Sequence, residues 1–519
     1  MNSAEWKKHL SQWEQFLRIR MDLLEDDGLT RVQIKRQLSA LANAELSAVQ
    51  NPKLLSEFIN PTAKLEFSIP EQFYLPLNRS QKEAVSCALA ENPLTLIQGP
   101  PGTGKTQVIA EICLQLFKQN PNIKILVCSQ THVAVNNLIS RISKYCSKED
   151  ISQNKGQFLG LSLLRIKDKE GEETVSSFLP QAVLNQYYNW LDHFCVYNEA
   201  KNAILQEFYD YGTDNSSEYR DKTIEKALAL STNVVGMTCN RVGAYSFSSS
   251  LEKFDIIIID EVCKATLPEI LQPLEIAEKA ILVGDPKQLP PIFCREEKDR
   301  MSKNIEECHL HDYFHIDSLF QISPNTITLD TQYRMSKTIG RMISEVFYRG
   351  RLQNGRNLEG KPGIRWIDYL PESSDMVENV MPEGTHEIYN LKECDFTYDI
   401  LLRLDEKFPN DPDDPDSNKV AVISPYKGQV EKIKSKIKCM KKSFKNIKVN
   451  VNTVDSFQGK ESAFVIFSVT RTKGPDRFWS DNRRLNVALS RAKNGIFIIG
   501  YKDYALKNPL LRDILQYCI

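Results

Sequence analysis

Apolar positions recur along this 519-residue chain in two rhythms, and their alternation lays out the fold. Residues 1–70 read as helical. Trp6, Leu10, Trp13, Leu17, Met21 and Leu24 return every three or four positions, an amphipathic stripe that Asp26-Asp27-Gly28 breaks. A second helix is expected from about Thr30 to Ala48. A helical pair packed on a core is the plainer account of these stretches; a surface for a protein partner is the sharper one. From about 94 to 330 the rhythm changes to short continuous apolar runs: 94–98 (LTLIQ), 123–128 (IKILVC), 233–237 (NVVGM), 254–259 (FDIIII), 280–284 (AILVG) and 326–329 (TITL). Helical stretches separate them. That alternation predicts a parallel sheet covered on both faces. A second series starts near 360 with GIRWIDY, KVAVISPY, KVNVNTV, AFVIFSVTR and NGIFIIGY.

The expected organisation is therefore α/β: a helical N-terminal segment (1–70), a first α/β domain (71–324) and a second (325–519). Residues 148–230 are polar and aromatic-rich, and read as a helical insertion in the first domain. Pro409–Ser417 reads as an acidic, proline-rich surface loop. Between Lys427 and Lys448 stand nine lysines in twenty-two residues, read first as a solvated helix face and second as a nucleic-acid contact.

Composition narrows the function classes. The 66 basic and 67 acidic residues leave a net charge of −1, so any polyanion site must be a local channel. The twelve cysteines include no CxxC pair, so no zinc module or disulfide scaffold is expected. The N-terminus is polar and no run of about eighteen apolar residues occurs, so no signal peptide or membrane span is expected. A reducing compartment, cytoplasmic or nuclear, fits best. The chain ends about eighteen residues after its last strand, so no fused nuclease is expected.

The chemistry gathers at strand ends. Gly99-Pro100-Pro101-Gly102-Thr103-Gly104-Lys105-Thr106 follows the first apolar run and opens a helical one, which is the phosphate-loop pattern in its proper context. Backbone N–H groups of such a loop close around phosphate oxygens at the positive end of a helix dipole. Lys105 would reach the β- and γ-phosphates, and the Thr106 hydroxyl would bind Mg²⁺. The run 256–259 ends in Asp260-Glu261, placed to hold Mg²⁺ and to polarise a water. Its expected place is beside the phosphate loop. Gln288, in the turn GDPKQLPP, offers an amide that can sense the γ-phosphate. Arg334, in QYRM, offers a planar cation for phosphate oxygens, and Tyr333 a flat face for a base. Arg491, in NVALSRAK, is a candidate arginine finger, a role worth about 10³–10⁵ in rate elsewhere.

In order, GPPGTGKT, SQTHVAVNNL, DEVC, GDPKQLPP, QYRM, SPYKGQ, TVDSFQGKE and NVALSRAK resemble the motifs of a superfamily 1 helicase. The likeness is to the branch containing the nonsense-mediated-decay RNA helicase and the DNA replication helicase–nuclease, and it runs from about Leu77 to Tyr501. It implies two RecA-like phosphate-loop NTPase domains with ATP and Mg²⁺ between them. It also implies adenine recognition by Asn78 and Gln81, stacking by Tyr333, and a ribose contact from Glu461. Contacts to single-stranded DNA or RNA are implied for Thr131, His132, Thr238, Ser424, Tyr426 and Thr453. Such hydroxyl, amide and aromatic groups grip phosphates and stack bases without reading sequence. Movement is implied to run 5′ to 3′.

The pattern is not followed everywhere. Val262-Cys263 replaces the usual small pair after DE, Asn137 stands where an acid is common, and Ser490 replaces the commoner threonine. The small β-barrel that often precedes the phosphate loop has no counterpart in residues 1–70. A clamp or ribonucleoprotein remodeller that hydrolyses ATP without separating strands is the rival function. A phosphate-loop kinase or GTPase would leave QYRM, QGKE and NVALSRAK without a use.

Overall fold

The computed structural model describes residues 3–23, 28–62, 66–146, 160–166, 173–180, 182–183, 186, 228–246, 253–291, 315–356, 363–380, 386–407, 417–440, 444–457, 461–474 and 481–519. Most of the expected insertion lies outside them, as do Leu24, residues 409–416 of the acidic loop, Lys441, Lys442 and Gln458-Gly459-Lys460.

The apolar runs of the first half become β1 (Leu94–Gln98), β2 (Ile125–Ser129), β3 (Leu163–Arg165), β4 (Val234–Thr238), β5 (Phe254–Ile259), β6 (Ala277–Gly284) and β7 (Thr326–Thr328). They form one parallel sheet of seven strands in the order β3-β4-β2-β5-β6-β1-β7. Their β-branched side chains are buried almost throughout, as a parallel sheet covered on both faces requires. Two placements differ from expectation. Leu163–Arg165 is an edge strand inside the stretch 148–230 read as helical. Thr326–Thr328 pairs with β1 in the first sheet, although the expected boundary at 325 falls before it. The three residues of β3 carry too little periodicity to announce a strand, whereas TITL announced β7 and only its side of the boundary differs.

Helices α1 (Ser3–Leu23), α2 (Gly28–Glu45) and α3 (Pro52–Ile59) pack on this sheet. Trp6, Leu10, Trp13 and Leu17 are buried in one core with Leu96, Leu126 and Ile257. The stripe in the sequence is thus a core face, where each fully buried large side chain contributes about 1.5–3 kcal/mol.

The second series gives β8 (Thr331–Gln332), β9 (Gln353–Asn354), β10 (Gly363–Ile367), β11 (Met376–Val380), β12 (His386–Asn390), β13 (Lys419–Ser424), β14 (Lys448–Thr453), β15 (Ser462–Ser468) and β16 (Ala492–Ile499). Five of these form a parallel sheet in the order β10-β16-β15-β13-β14. The antiparallel pair β11–β12 was not foreseen; its polar alternation (MVENV, HEIYN) gives no buried run to detect.

Two compact units result. One comprises Met1–Gln98, Lys105–Gly284 and Pro290–Thr328; the other comprises Gly99–Gly104, Asp285–Leu289 and Leu329–Ile519. Among the described residues no helix is long and apolar enough to cross a membrane.

Candidate active site

In the first unit the ionisable groups collect where strands end. Helix α5 (Lys105–Gln119) opens with Lys105 and Thr106. Strand β5 ends at Ile259 and delivers Asp260 and Glu261 to the same sheet edge, with β6 between β5 and β1. The acidic pair is therefore two strand positions from β1, roughly 10 Å across the sheet, rather than its immediate neighbour. The Asp260 N–H donates to the Cys128 carbonyl at 2.8 Å, and the Glu261 N–H donates to Asp260 Oδ1 at 2.9 Å. Burial, followed by the negative charge of Glu261, pushes the Asp260 carboxyl up to about 7, while nearby Lys105 pulls it down. A buried acid beside a second acid is short of positive charge, a donor set that suits a divalent cation. Glu261 sits at φ 54°, a left-handed backbone rare for a non-glycine residue and typical of functional strain.

Helix α5 does a second job. Gln107, Glu111 and Gln115 recur every four residues on one face. Gln107 Nε2 donates to the Pro76 carbonyl at 2.7 Å, and Gln115 Nε2 to the Gln72 carbonyl at 2.7 Å. The buried Glu111 carboxylate accepts the N–H groups of Tyr74 (3.0 Å) and Leu75 (2.8 Å). The segment leading to Asn78 is thus strapped to the helix that begins with Lys105. Asn78 and Gln81 themselves form a reciprocal capping box on helix α4 (Arg79–Leu89), each 2.9 Å from the other's backbone N–H. The polar i, i+4 face inside an otherwise buried helix is a signal for this strap that the sequence itself carries.

The second unit holds the loop Gly99–Gly104 with the arginines. Gly102 (φ 75°) and Gly104 (φ 80°) take left-handed conformations that favour glycine. A Cβ on Gly102 would stand 2.6 Å from the Arg334 Cβ. The Tyr333 N–H donates to the Gly102 carbonyl at 2.8 Å, and Thr103 Oγ1 to the Pro100 carbonyl at 2.8 Å. Arg334 Nε reaches Glu461 Oε1 at 2.8 Å, and its Nη1 reaches the Ser490 carbonyl at 3.1 Å. Burial alone would raise the Glu461 carboxyl; Arg334 and Lys493 outweigh it and hold the group below its ordinary value. Arg491 Nη2 donates to Gln288 Oε1 at 3.3 Å, and Gln288 Nε2 to Asp285 Oδ2 at 3.0 Å. Asp285 Oδ2 also accepts the Tyr348 hydroxyl at 2.5 Å, which in turn accepts Asn486 Nδ2 at 2.8 Å. Gln288 therefore packs with Arg491 and the second unit, not with the first domain. Buried Gln332 fixes the QYRM turn: its Oε1 accepts the N–H groups of Arg334 (2.9 Å) and Met335 (2.7 Å).

The residues implied for strand contact sit at carboxyl edges on neighbouring strands. Ser129 and Thr238 are register partners of β2 and β4, and Thr131 caps helix α6 (His132–Ser143) two residues on. His132 is exposed, with Nδ1 3.0 Å from buried Arg165 Nη2. In the second sheet Ser424 and Thr453 are register partners of β13 and β14. Tyr426 and Thr453 are partly exposed. Ser424 is buried and bonds Thr470 Oγ1 at 3.1 Å, so its hydroxyl serves the interior rather than a ligand.

A glycine loop with left-handed turns, a lysine and threonine opening the next helix, and a strand ending in an acid pair whose first member is buried make up the phosphate-loop nucleotide-binding pattern. Two family models, each described as an AAA domain, match the chain, one over residues 76–192 and 197–296, the other over 314–503. The chain is 30% identical to a regulator of nonsense transcripts 1 homolog of Neurospora crassa, covering 94% of this chain and 43% of that one. It is 30% identical to the ATP-dependent helicase upf1 of Schizosaccharomyces pombe, covering 94% and 52%. It is 27% identical to an uncharacterized ATP-dependent helicase of Methanocaldococcus jannaschii, covering 98% and 79%. The chain thus spans about half the length of these fungal relatives and most of the archaeal one. Together the two family models cover most of the chain, which belongs to the AAA-domain family that they describe and is similar to ATP-dependent helicases of the nonsense-transcript-regulator kind.

Proposed function

We propose that this chain hydrolyses ATP to move along single-stranded nucleic acid, 5′ to 3′, and so to separate strands. The observation that carries the reading is the gathering of Lys105, Thr106, Asp260 and Glu261 at one sheet edge, with the acid of Asp260 buried and pushed up to about 7. Lys105 attracts the β- and γ-phosphates. Glu261 takes the proton of the attacking water. Thr106 and Asp260 hold Mg²⁺, which when bound neutralises phosphate charge. Arg334 and Arg491 stabilise charge that develops on the transferred phosphoryl group. Asn78, Gln81, Tyr333 and Glu461 select adenine and ribose. Thr131, His132, Thr238, Tyr426 and Thr453 grip the strand; Ser424 supports them from below.

The test is ATP turnover with and without added DNA or RNA oligonucleotides, beside a strand-displacement assay. Turnover should rise several-fold with single strands and fall by at least about 10³ in Lys105→Ala and Glu261→Gln. Stimulated turnover without displacement would mark a clamp instead of a helicase. Turnover indifferent to every oligonucleotide would defeat the nucleic-acid reading.

A further inference from the structure

Beneath the strand-facing edge of the second sheet lies a buried carboxylate for which the phosphate chemistry has no use. Glu393 stands in the first turn of the helix Leu391–Lys407 and is fully buried. One oxygen, Oε2, accepts the Thr470 N–H at 2.8 Å and the Ser468 hydroxyl at 2.6 Å; the other, Oε1, accepts the Tyr369 hydroxyl at 2.8 Å. Asn390 Nδ2 donates to the Thr470 carbonyl at 3.1 Å, and the Thr470 hydroxyl meets Ser424 Oγ at 3.1 Å. Every polar atom of Thr470 is held.

The reason is in the backbone. Thr470 sits at φ 73°, and the Arg471 N–H bonds the Val469 carbonyl at 2.9 Å. That is a three-residue γ-turn of the rare, strained hand, centred on a β-branched residue. Such a conformation costs of order 1–3 kcal/mol and persists only where its surroundings over-determine it. The turn redirects the chain after β15 and places Arg471 against the edge: its Nε donates to the Tyr426 hydroxyl at 3.0 Å, its carbon centre lies 5.7 Å from the Tyr426 ring, and its Nη2 meets Glu378 at 2.9 Å.

We propose that Glu393 is a positioning residue for strand binding: it clamps the Thr470 turn, through it seats buried Arg471 against Tyr426, and so sets the Tyr426 side chain to grip nucleic acid. The inference rests on the nucleic-acid reading above.

The experiment measures binding of fluorescein-labelled dT and U oligonucleotides, and the oligonucleotide concentration giving half-maximal ATPase, in four full-length proteins: wild type, Glu393→Gln, Thr470→Gly and the double variant. An amide cannot accept all three donors, so Glu393→Gln should weaken strand affinity about tenfold with little change in maximal turnover. Glycine adopts the turn without strain. Thr470→Gly alone should bind within about twofold of wild type, and the double variant should recover most of the lost affinity. A role confined to stability would give no such recovery. Should Glu393→Gln not fold, Tyr369→Phe, which removes one of the three donors, and Thr470→Gly carry the comparison. Wild-type affinity in Glu393→Gln, or a double variant as weak as the single, overturns the clamp alone. A wild type that binds no oligonucleotide overturns the strand reading and the clamp with it.

Discussion

Gly102 shows what a single residue can decide. Its φ of 75° and the Arg334 Cβ that would lie 2.6 Å from any added methyl leave no room for a side chain. Gly102→Ala should therefore cost about 1–3 kcal/mol of stability and disturb both the loop and the Tyr333 backbone bonded to it. Thermal unfolding and nucleotide binding by calorimetry check this; an alanine variant as stable and as tight as wild type would refute the steric argument. The sequence disclosed the residues that carry phosphate chemistry because Lys105, Asp260 and Arg491 stand in short patterns with fixed chemical duties. It could not disclose Glu393 or Tyr348, nor which donors Glu111 would meet. Their partners include backbone N–H groups and side chains from 24 to 138 positions away, and no local pattern records which donor a buried oxygen will meet. Ser424 shows the converse, a residue with a motif's identity whose hydroxyl turns inward.

Among elements, helix α2 depends on an interior acid. Glu275, in the turn before β6, takes a 3.4 Å bond from Asn43 of α2, and its Oε1 is buried with no hydrogen-bond partner among the described residues. Burial pushes its carboxyl up to about 7 from 4.5, with Asn43 opposing. The folded chain then holds this proton where the unfolded chain releases it. Stability contributed by the neutral acid is present below about 4.5 and is lost as pH rises towards about 7. Glu275→Gln should remove that loss, gaining on wild type by roughly 1–3 kcal/mol between pH 5 and pH 8. Urea unfolding of both proteins at the two pH values measures it, and a constant difference would show that Glu275 titrates normally. At this scale strands were legible from continuous apolar runs, β7 from TITL included, whereas β3 was not. Its three residues are fixed by the neighbours they pair with.

For the molecule as a whole, a net charge of −1 means that strand binding must draw on local exposed cations such as Lys427. Each phosphate neutralised on a single strand contributes about −0.7 to the slope of log affinity against log salt. A chain with few such contacts should show a slope of only about −2 to −4 between 50 and 200 mM salt, measured by fluorescence anisotropy. A much steeper slope would mean that a larger basic surface than the two sheet edges takes part. The two-sheet α/β plan was legible in advance because parallel strands are buried on both faces and so leave unbroken apolar text. The residues of each compact unit were less so: a glycine loop and the turn around Gln288 follow their contacts rather than their place in the chain.

The seating of β1 between β6 and β7 also bears on how the chain is made. Translation at about 5–20 residues per second completes the strand at 94–98 well before its last neighbour at 326–328 leaves the ribosome. For on the order of ten to fifty seconds the strand that leads into the glycine loop has an open flank. Nascent chains stalled before Thr326 should be cut readily by protease and held by chaperones, and chains a few dozen residues longer should not.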